Sequence, residues 1–451
     1  MNIVPDCKNV QDFLNIITNY NGIAFSMYDK SIKYRDFCDN IYKVAMWLKN
    51  NNSEKYICLT INDTYYFAIG FLSILLSGKI AVLYNFNEVM VDYYNLTIDT
   101  IKSINSSKKH IDNLSFSIES EKLSVLVPSS GTTSHKKAVM LSQKNLFCNT
   151  VSAMRNYLFG YGFKYVNVIP CTHLFGLVAD ILAPLYSGGT ICVLNSKYEF
   201  FSALPKYNPN ALNLPPIMIE QLCELLERSR DKEKVVGKNL YKIMCGGAKI
   251  SEETIERIKL YGIQVYTSYG LTECSPCVSA CCDNDYQRDS AGKILDCCTV
   301  KFSDGEILVS GDNVMIGYWR DPEVTKQVLI DGWLHTGDMG YLDDNHNLHV
   351  IGRKNTLLVF SNGFKLLPEP LEELINNIRG VKESLVFIEN NSLKDKVTVK
   401  LFIEESAEKE IIATQIETIF LKHTEVSINR IIYSYSPLQR TELGKIKRCQ
   451  Y

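Results

Sequence analysis

Short apolar runs separated by helix-length segments set the layout of the chain. Val166–Pro170, Thr190–Leu194, Ala211–Leu214, Lys242–Cys245 and Ile263–Thr267 are of strand length, and the stretches between them can hold helices. That alternation predicts a layered α/β sheet with helices on both faces, where ligands collect at the carboxyl ends of strands. Residues 22–84 alternate in the same way. Within them Thr64–Gly78 holds fifteen uncharged residues, fewer than the roughly twenty a membrane span needs, so it reads as a buried helix closed by Gly78 and Lys79. Residues 85–120 are polar and rich in Asn and Ser, a connecting region with little expected structure. Lys122–Pro128 is an apolar run stopped by a proline, and Ala138–Leu141 starts a returning strand. Ser142 then caps a helix with Phe147, Val151, Met154 and Leu158 on one face.

From Glu306 the pattern changes to hairpins. One turns at Asp343–Asn347, and another at Asn362–Gly363, the strongest short hairpin signal. Beyond Asn355, helical segments at Glu369–Ile378 and Ala407–Leu421 alternate with strands at Ser384–Glu389 and Val397–Glu404, enough for a separate α+β domain. The expected architecture is a large N-terminal layered α/β domain with an added hairpin or barrel-like part, residues 1–354, and a small α+β C-terminal domain, residues 355–451.

Composition narrows the function classes. The 451 residues are 46% hydrophobic and 22% charged, as in an ordinary globular protein. A net charge of −2 gives no electrostatic case for nucleic acid or an anionic membrane as partner. Fifteen cysteines without a basic, apolar leader at MNIVPDCKNV point to reduced thiols and a cytoplasmic location. Cys274, Cys277, Cys281 and Cys282, with Cys297 and Cys298 further on, do not repeat the paired C-x-x-C knuckles of a zinc site and read as buried or lining thiols.

The densest candidate chemistry is Ser129–Lys137, SSGTTSHKK, between the two strand-like runs. Small residues let backbone approach a ligand, hydroxyls and N–H groups donate to phosphate oxygens, and lysines supply charge. The segment fails the G-x-x-x-x-G-K-[ST] pattern at Lys136, and alone it also fits a Ser/Thr-rich surface turn. Four further segments follow in order: YGLTE at Tyr269–Glu273, HTGD at His335–Asp338, GRKN at Gly352–Asn355 and PLQRTELGKIKR at Pro437–Arg448. Together the five resemble the adenylate-forming superfamily of acyl- and aryl-CoA synthetases, peptide-synthetase adenylation domains and beetle luciferase, over about Tyr34 to Arg448.

The resemblance implies the following roles. Ser129, Ser130, Gly131, Thr132, Thr133 and Lys137 hold the β/γ phosphates of ATP. Thr272 contacts the α-phosphate and Glu273 holds Mg2+. Gly246, Gly247, Ala248, Tyr269 and Gly270 form the adenine slot, and Asp338 and Arg353 serve the ribose. Lys445 bridges the carboxylate and the α-phosphate. Asn355 is the hinge about which the small domain turns, and Gly363 lines the pantetheine tunnel. Taken singly, Tyr269 also fits a core residue, Asp338 a turn cap and Glu273 a solvated charge. The loop departs from the family pattern at Ser134, Lys136 and Ala138, and the hinge does so at Asn355.

Pro170–Gly176, PCTHLFG, is similar to the His-x-x-Gly segment of acyl- and aryl-CoA synthetases. His173 would gate an acid pocket lined by Leu174, Phe175, Gly176, Gly246 and Ser268. Amino-acid-activating relatives place an aspartate here for the α-ammonium. This chain has no carboxylate between Lys164 and Val178, and Asp180 lies out of register, so an acid lacking an α-amine is expected. The reaction implied is ATP-dependent formation of an acyl-adenylate and transfer to a pantetheine thiol, on CoA or on an acyl or peptidyl carrier protein. Aryl and aliphatic acids stay open, and a nucleotide-binding protein without turnover is the reading from another class.

Overall fold

The computed structural model describes residues 5–83, 92–107, 116–129, 137–157, 160–282, 289–360, 363–388, 396–424, 426–439, 446 and 448. It is a mixed α/β protein in two compact units. The first holds Met1–Val300, Val309–Leu334 and Asp344–Leu348, and the second holds Lys301–Leu308, His335–Asp343 and His349–Tyr451. The second unit therefore takes in strand segments that precede residue 355 as well as everything after it.

The first unit is built on two sheets. In the larger, strands Gln264–Gly270, Lys242–Cys245, Ala211–Leu214, Lys164–Val166, Thr190–Cys192 and Ile23–Ser26 run parallel in that spatial order. Cys277–Ala280 and Lys293–Ile294 extend one edge antiparallel, and Ser31–Lys33 closes the other. The central strands Ala211–Leu214 and Lys242–Cys245 are buried at every position, because parallel strands at the middle of such a sheet are covered on both faces. Leu212, Leu214, Ile243 and Cys245 pack with Leu222, Leu226, Ile255 and Ile258 of the flanking helices in one core cluster.

The second sheet runs Gly317–Tyr318, Ala138–Ser142, Leu123–Pro128, Ile80–Val82, Tyr56–Cys58, Tyr93–Asn95. Thr64–Leu76 is a helix buried nearly all round, with Asp63 capping the Tyr66 N–H at 2.9 Å and Ser73 Oγ donating to the Ile41 carbonyl at 2.9 Å. No described helix is long and apolar enough to cross a membrane. Ser142 caps the helix Gln143–Tyr157: its Oγ accepts the Asn145 N–H at 3.0 Å while Asn145 Oδ1 accepts the Ser142 N–H at 2.8 Å, a reciprocal box. Leu158, expected on its apolar face, lies outside the described residues.

Two expectations need correction. The polar stretch 85–120 is not uniformly weak: Tyr93–Asn95 pairs parallel with Tyr56–Cys58, and Ile98–Ser106 is a helix capped by Thr97. Only Ile101 is buried on that helix, so it carries almost no periodic signal. The strand expected at Val166–Pro170 is Lys164–Val166. There Asn167 turns the chain by donating to the Ile169 carbonyl at 3.0 Å and to Asp180 at 2.9 Å, bonds that replace a ladder.

In the second unit, Val381–Phe387, Lys396–Ile403 and Ser427–Ser434 form a three-stranded sheet, covered by helices Pro368–Asn376 and Lys409–His423. Leu371, Ile375, Val399, Leu401, Ile412, Ile416 and Phe420 fill its core. Leu358–Val359 and Lys365–Leu366 pair across the expected Gly363 turn, where φ is +82°, a conformation suited to glycine. Asn362 lies outside the described residues.

Candidate active site

In the first unit the expected motifs lie at or just past the carboxyl ends of strands. The segment expected to hold phosphate leaves a hairpin of Leu123–Pro128 and Ala138–Ser142, with Pro128 opposite Ala138. Its base is closed by the Ser129 N–H donating to the Lys137 carbonyl at 2.8 Å and the Lys137 N–H donating to Ser129 Oγ at 3.3 Å. Ser130, Gly131, Thr132 and Thr133 lie outside the described residues.

Glu273 sits in the short turn Thr272–Cys274 that follows the Gln264–Gly270 strand. Gly270 is required at that exit: a Cβ would run into the Pro276 carbonyl oxygen, which accepts the Leu271 N–H at 2.8 Å. Thr272 is buried and Glu273 half-buried. The Tyr318 hydroxyl donates to Glu273 Oε1 at 2.8 Å, and the Lys137 ammonium lies 4.8 Å from the centroid of the same ring. The expected phosphate lysine and the expected metal carboxylate, far apart in sequence, therefore meet at one tyrosine. No sequence motif marks Tyr318, whose place here depends on the pairing of Gly317–Tyr318 with Ala138–Ser142.

The segments expected to form the acid pocket and the adenine slot meet where Phe175 lies against Gly246. A Cβ on Gly246 would fall 2.8 Å from Phe175 Cζ, so the Phe175 ring lies against bare backbone. Gly176 is likewise confined, its Cβ direction blocked by the Ile169 carbonyl oxygen at 2.9 Å. His173 starts this turn, its N–H donating to the Pro170 carbonyl at 3.0 Å, and Leu174 is buried. Gly176–Leu182 is one turn and more of π-helix, a form often found beside functional sites. Ser268 Oγ donates to the Cys245 carbonyl at 3.2 Å, tying the two strand ends together. Gly247 is exposed at φ +88°, Ala248 is half-buried, and Tyr269 is half-buried in its strand opposite Ser279.

Asp180 has its own occupation. Asn213 Nδ2 and Asn167 Nδ2 donate to it at 2.7 and 2.9 Å, and complete burial pushes its carboxyl up to about 7 against those hydrogen bonds. It is a satisfied structural group and presents nothing to a ligand ammonium.

The second unit carries the other three segments. Asp338, buried, receives Arg353 Nε at 2.7 Å, and its own N–H donates to Thr336 Oγ1 at 3.1 Å. Beside it lies Glu306, a buried carboxylate that sequence reasoning missed. It takes Lys354 Nζ at 2.7 Å, the Gly337 N–H at 3.0 Å and His335 Nδ1 at 3.3 Å. Burial works to raise its pKa, but the Lys354, His335 and Gly337 hydrogen bonds outweigh this and hold it below the usual carboxylate value. Asn355 is exposed in the turn Lys354–Thr356, whose Thr356 hydroxyl donates to Glu369 at 2.7 Å. Lys445 lies outside the described residues; Arg448, beyond it, bonds Glu372.

Among the described residues no group of three or more His, Cys, Asp and Glu could hold a metal by side chains alone, and the described cysteines are free thiols. A single half-buried carboxylate, with one oxygen taken by a neutral hydroxyl, suits Mg2+ that arrives with phosphate oxygens completing its shell.

The sequence profile of the family described as AMP-binding enzyme matches residues 87–319, just over half of the chain. The chain is 29% identical over 306 residues to a long-chain-fatty-acid–CoA ligase of Salmonella typhimurium, a match covering 63% of this chain and 53% of that protein. It is 26% identical to indoleacetate–CoA ligase of Aromatoleum aromaticum (71% and 64%) and 27% identical to 2-succinylbenzoate–CoA ligase of Oceanobacillus iheyensis (70% of each). The match thus spans only about half of the fatty-acid ligase's length. Among solved structures, ATP-bound MatB from Rhodopseudomonas palustris superposes with a TM-score of 0.84 at 19% identity, covering 98% of both chains. The Bacillus subtilis o-succinylbenzoate CoA synthetase with ATP and magnesium gives 0.79 at 19% identity, covering 98% of both chains, and its AMP complex gives 0.77 at 20% identity, covering 97% of both. These neighbours share the fold, and by its profile match and its ordered motifs this chain belongs to the AMP-binding enzyme family.

Proposed function

We propose that this chain is an acid–thiol ligase: it activates a carboxylic acid lacking an α-amine with ATP, releasing pyrophosphate, and passes the acyl or aryl group from the adenylate to the thiol of CoA. The observation that carries the reading is the meeting of Lys137 and Glu273 at Tyr318, a cation and a carboxylate from two separate motifs, as binding a metal–triphosphate requires. The relatives named above are ligases of a fatty acid, indoleacetate and 2-succinylbenzoate, acids without an α-amine, and the engaged state of Asp180 agrees with that class.

The chemistry brings two anions together, so charge neutralisation and positioning carry the catalysis. Lys137 and the phosphate loop would hold the β/γ phosphates, Thr272 the α-phosphate, and Asp338 the ribose hydroxyls. Glu273 would hold Mg2+, which when bound neutralises phosphate charge. Lys445 would draw the acid carboxylate onto the α-phosphate, with pyrophosphate leaving in line. A turn of residues 355–451 about Asn355 would then withdraw Lys445 and bring the Gly363 segment to the thiol.

ATP–pyrophosphate exchange across a library of carboxylic acids tests the reading. Exchange with acids lacking an α-amine, followed by thioester on CoA, supports it. Preference for an α-amino acid, transfer to a carrier protein in place of CoA, or nucleotide binding without exchange would each replace it.

A further inference from the structure

Tyr318 does more than fill space between Lys137 and Glu273. Its strand lies antiparallel to the one that begins at Ala138, with Tyr318 opposite Val139 and Gly317 opposite Met140. The Trp319 N–H donates to the Ala138 carbonyl at 2.8 Å, one residue from Lys137, and the Met315 N–H donates to the Glu273 carbonyl at 2.9 Å. The backbone on either side of Tyr318 is thus sewn to both motifs, and the side chain, 8% exposed, completes the link. The hydroxyl is the donor in this pair, since the Glu273 carboxylate oxygen can only accept.

We propose that Tyr318 is the positioning residue of the metal–triphosphate site, aiming the Glu273 carboxylate and spacing it from Lys137. This rests on the function proposed above. A neutral donor on Oε1 fixes the carboxylate plane without cancelling its charge, leaving the other oxygen turned toward a divalent cation. The ring face holds the Lys137 ammonium through its quadrupole. With the ammonium held at the ring and the carboxylate at the hydroxyl, each charge has a neutral partner in Tyr318, and neither needs the other to be held in place.

The test is binding, read without turnover. Mn2+ affinity is measured by electron paramagnetic resonance in the presence of α,β-methylene-ATP, and affinity for the analogue alone by calorimetry in EDTA. Tyr318→Phe keeps the spacer and removes the donor: Mn2+ binding should weaken about tenfold, as loss of a group that orients a metal ligand does, with metal-free analogue binding unchanged. Tyr318→Leu removes both and should also weaken the metal-free analogue, by about threefold. Circular dichroism and melting confirm that each variant is folded, and Tyr318→Phe carries the test if Tyr318→Leu is not. Glu273→Gln separates the two levels of the argument. If it loses Mn2+ while Tyr318→Phe binds as the native chain does, the role of Tyr318 is overturned and the proposed function stands. If Glu273→Gln also binds Mn2+ normally, or the native chain binds neither probe, both fall. Equal weakening of metal-bound and metal-free analogue by Tyr318→Phe would make the residue merely structural and overturn the proposal.

Discussion

The two units treat their buried and half-buried carboxylates in opposite ways. In the first, Glu273 is met by the neutral hydroxyl of Tyr318 and Asp180 by the neutral amides of Asn167 and Asn213. In the second, Asp338 is met by Arg353, Glu306 by Lys354 and Glu372 by Arg448. A carboxylate held by neutral donors has two outcomes. Half-buried, as at Glu273, it offers uncompensated charge to an external cation; fully buried, as at Asp180, it is driven toward its neutral form. A carboxylate already paired with a cation has its charge answered and offers its remaining lone pairs to neutral hydroxyls, such as those of a ribose. The local partner, more than the carboxylate itself, sets how much charge is left uncompensated.

Breaking a pair in the second unit should have the largest effect on folding. Glu372 also accepts the Val386 N–H at 2.7 Å and is nearly fully buried, so Arg448→Ala strands a charge in the core. Urea unfolding should report a loss of about 3–5 kcal/mol. Burial already raises the Glu372 pKa against the pull of Arg448, so the loss should shrink as pH is lowered and the carboxyl protonates. An unchanged unfolding midpoint would show that the pair is idle.

Next in size is Lys445→Ala, which removes the one cation proposed to act on the reacting atoms themselves. Pyrophosphate exchange should fall by about a hundredfold, while thioester formation from supplied acyl-adenylate stays near native. Equal slowing of both steps would remove Lys445 from the role and with it the turn about Asn355.

Asp180 sharpens the neutral-donor side of the contrast. Its folded pKa of about 7 stands above the ordinary value of 3.8, so the folded chain binds the extra proton and is favoured at low pH. That contribution is present near pH 4 and lost as pH rises toward and through 7. Melting temperature should therefore decline by about a few degrees over that window in the native chain, and the decline should flatten in Asp180→Asn. Parallel slopes in the two proteins would contradict the assignment.

The smallest expected effect is on the exposed arm of the Asp338 pair. The Arg353 side chain is 45% exposed, so Arg353→Ala should cost at most about 1 kcal/mol of stability while raising the KM for ATP. A large stability loss would make this pair structural, like Arg448 and Glu372.

Much of this was legible in the chain. Ala211–Leu214 and Lys242–Cys245 are strands with the bounds expected of them, because Asn210 and Pro215 bracket the first and Gly246 stops the second. The Asp343–Asn347 turn and the buried Thr64 helix also follow from pattern alone. What escaped was chemistry that depends on register between distant strands. Tyr318 becomes a ligand of Glu273 only because its strand pairs with the one after Lys137, and no local signal encodes that pairing. Glu306 read as the polar start of a hairpin, whereas three donors from residues 335–354 converge on it. The strand Ser427–Ser434 was missed because its inward and outward residues do not alternate cleanly.

We propose that Glu273 takes the cation and Asp338 takes neutral hydroxyls, and a magnesium titration of pyrophosphate exchange at saturating ATP compares them directly. Glu273→Gln should raise the Mg2+ half-saturation by about tenfold or more. Asp338→Asn should leave that half-saturation unchanged and raise the KM for ATP, by the weight of charge-assisted hydrogen bonds, about 3 kcal/mol at most. A shifted magnesium dependence in Asp338→Asn with a native one in Glu273→Gln would contradict the account.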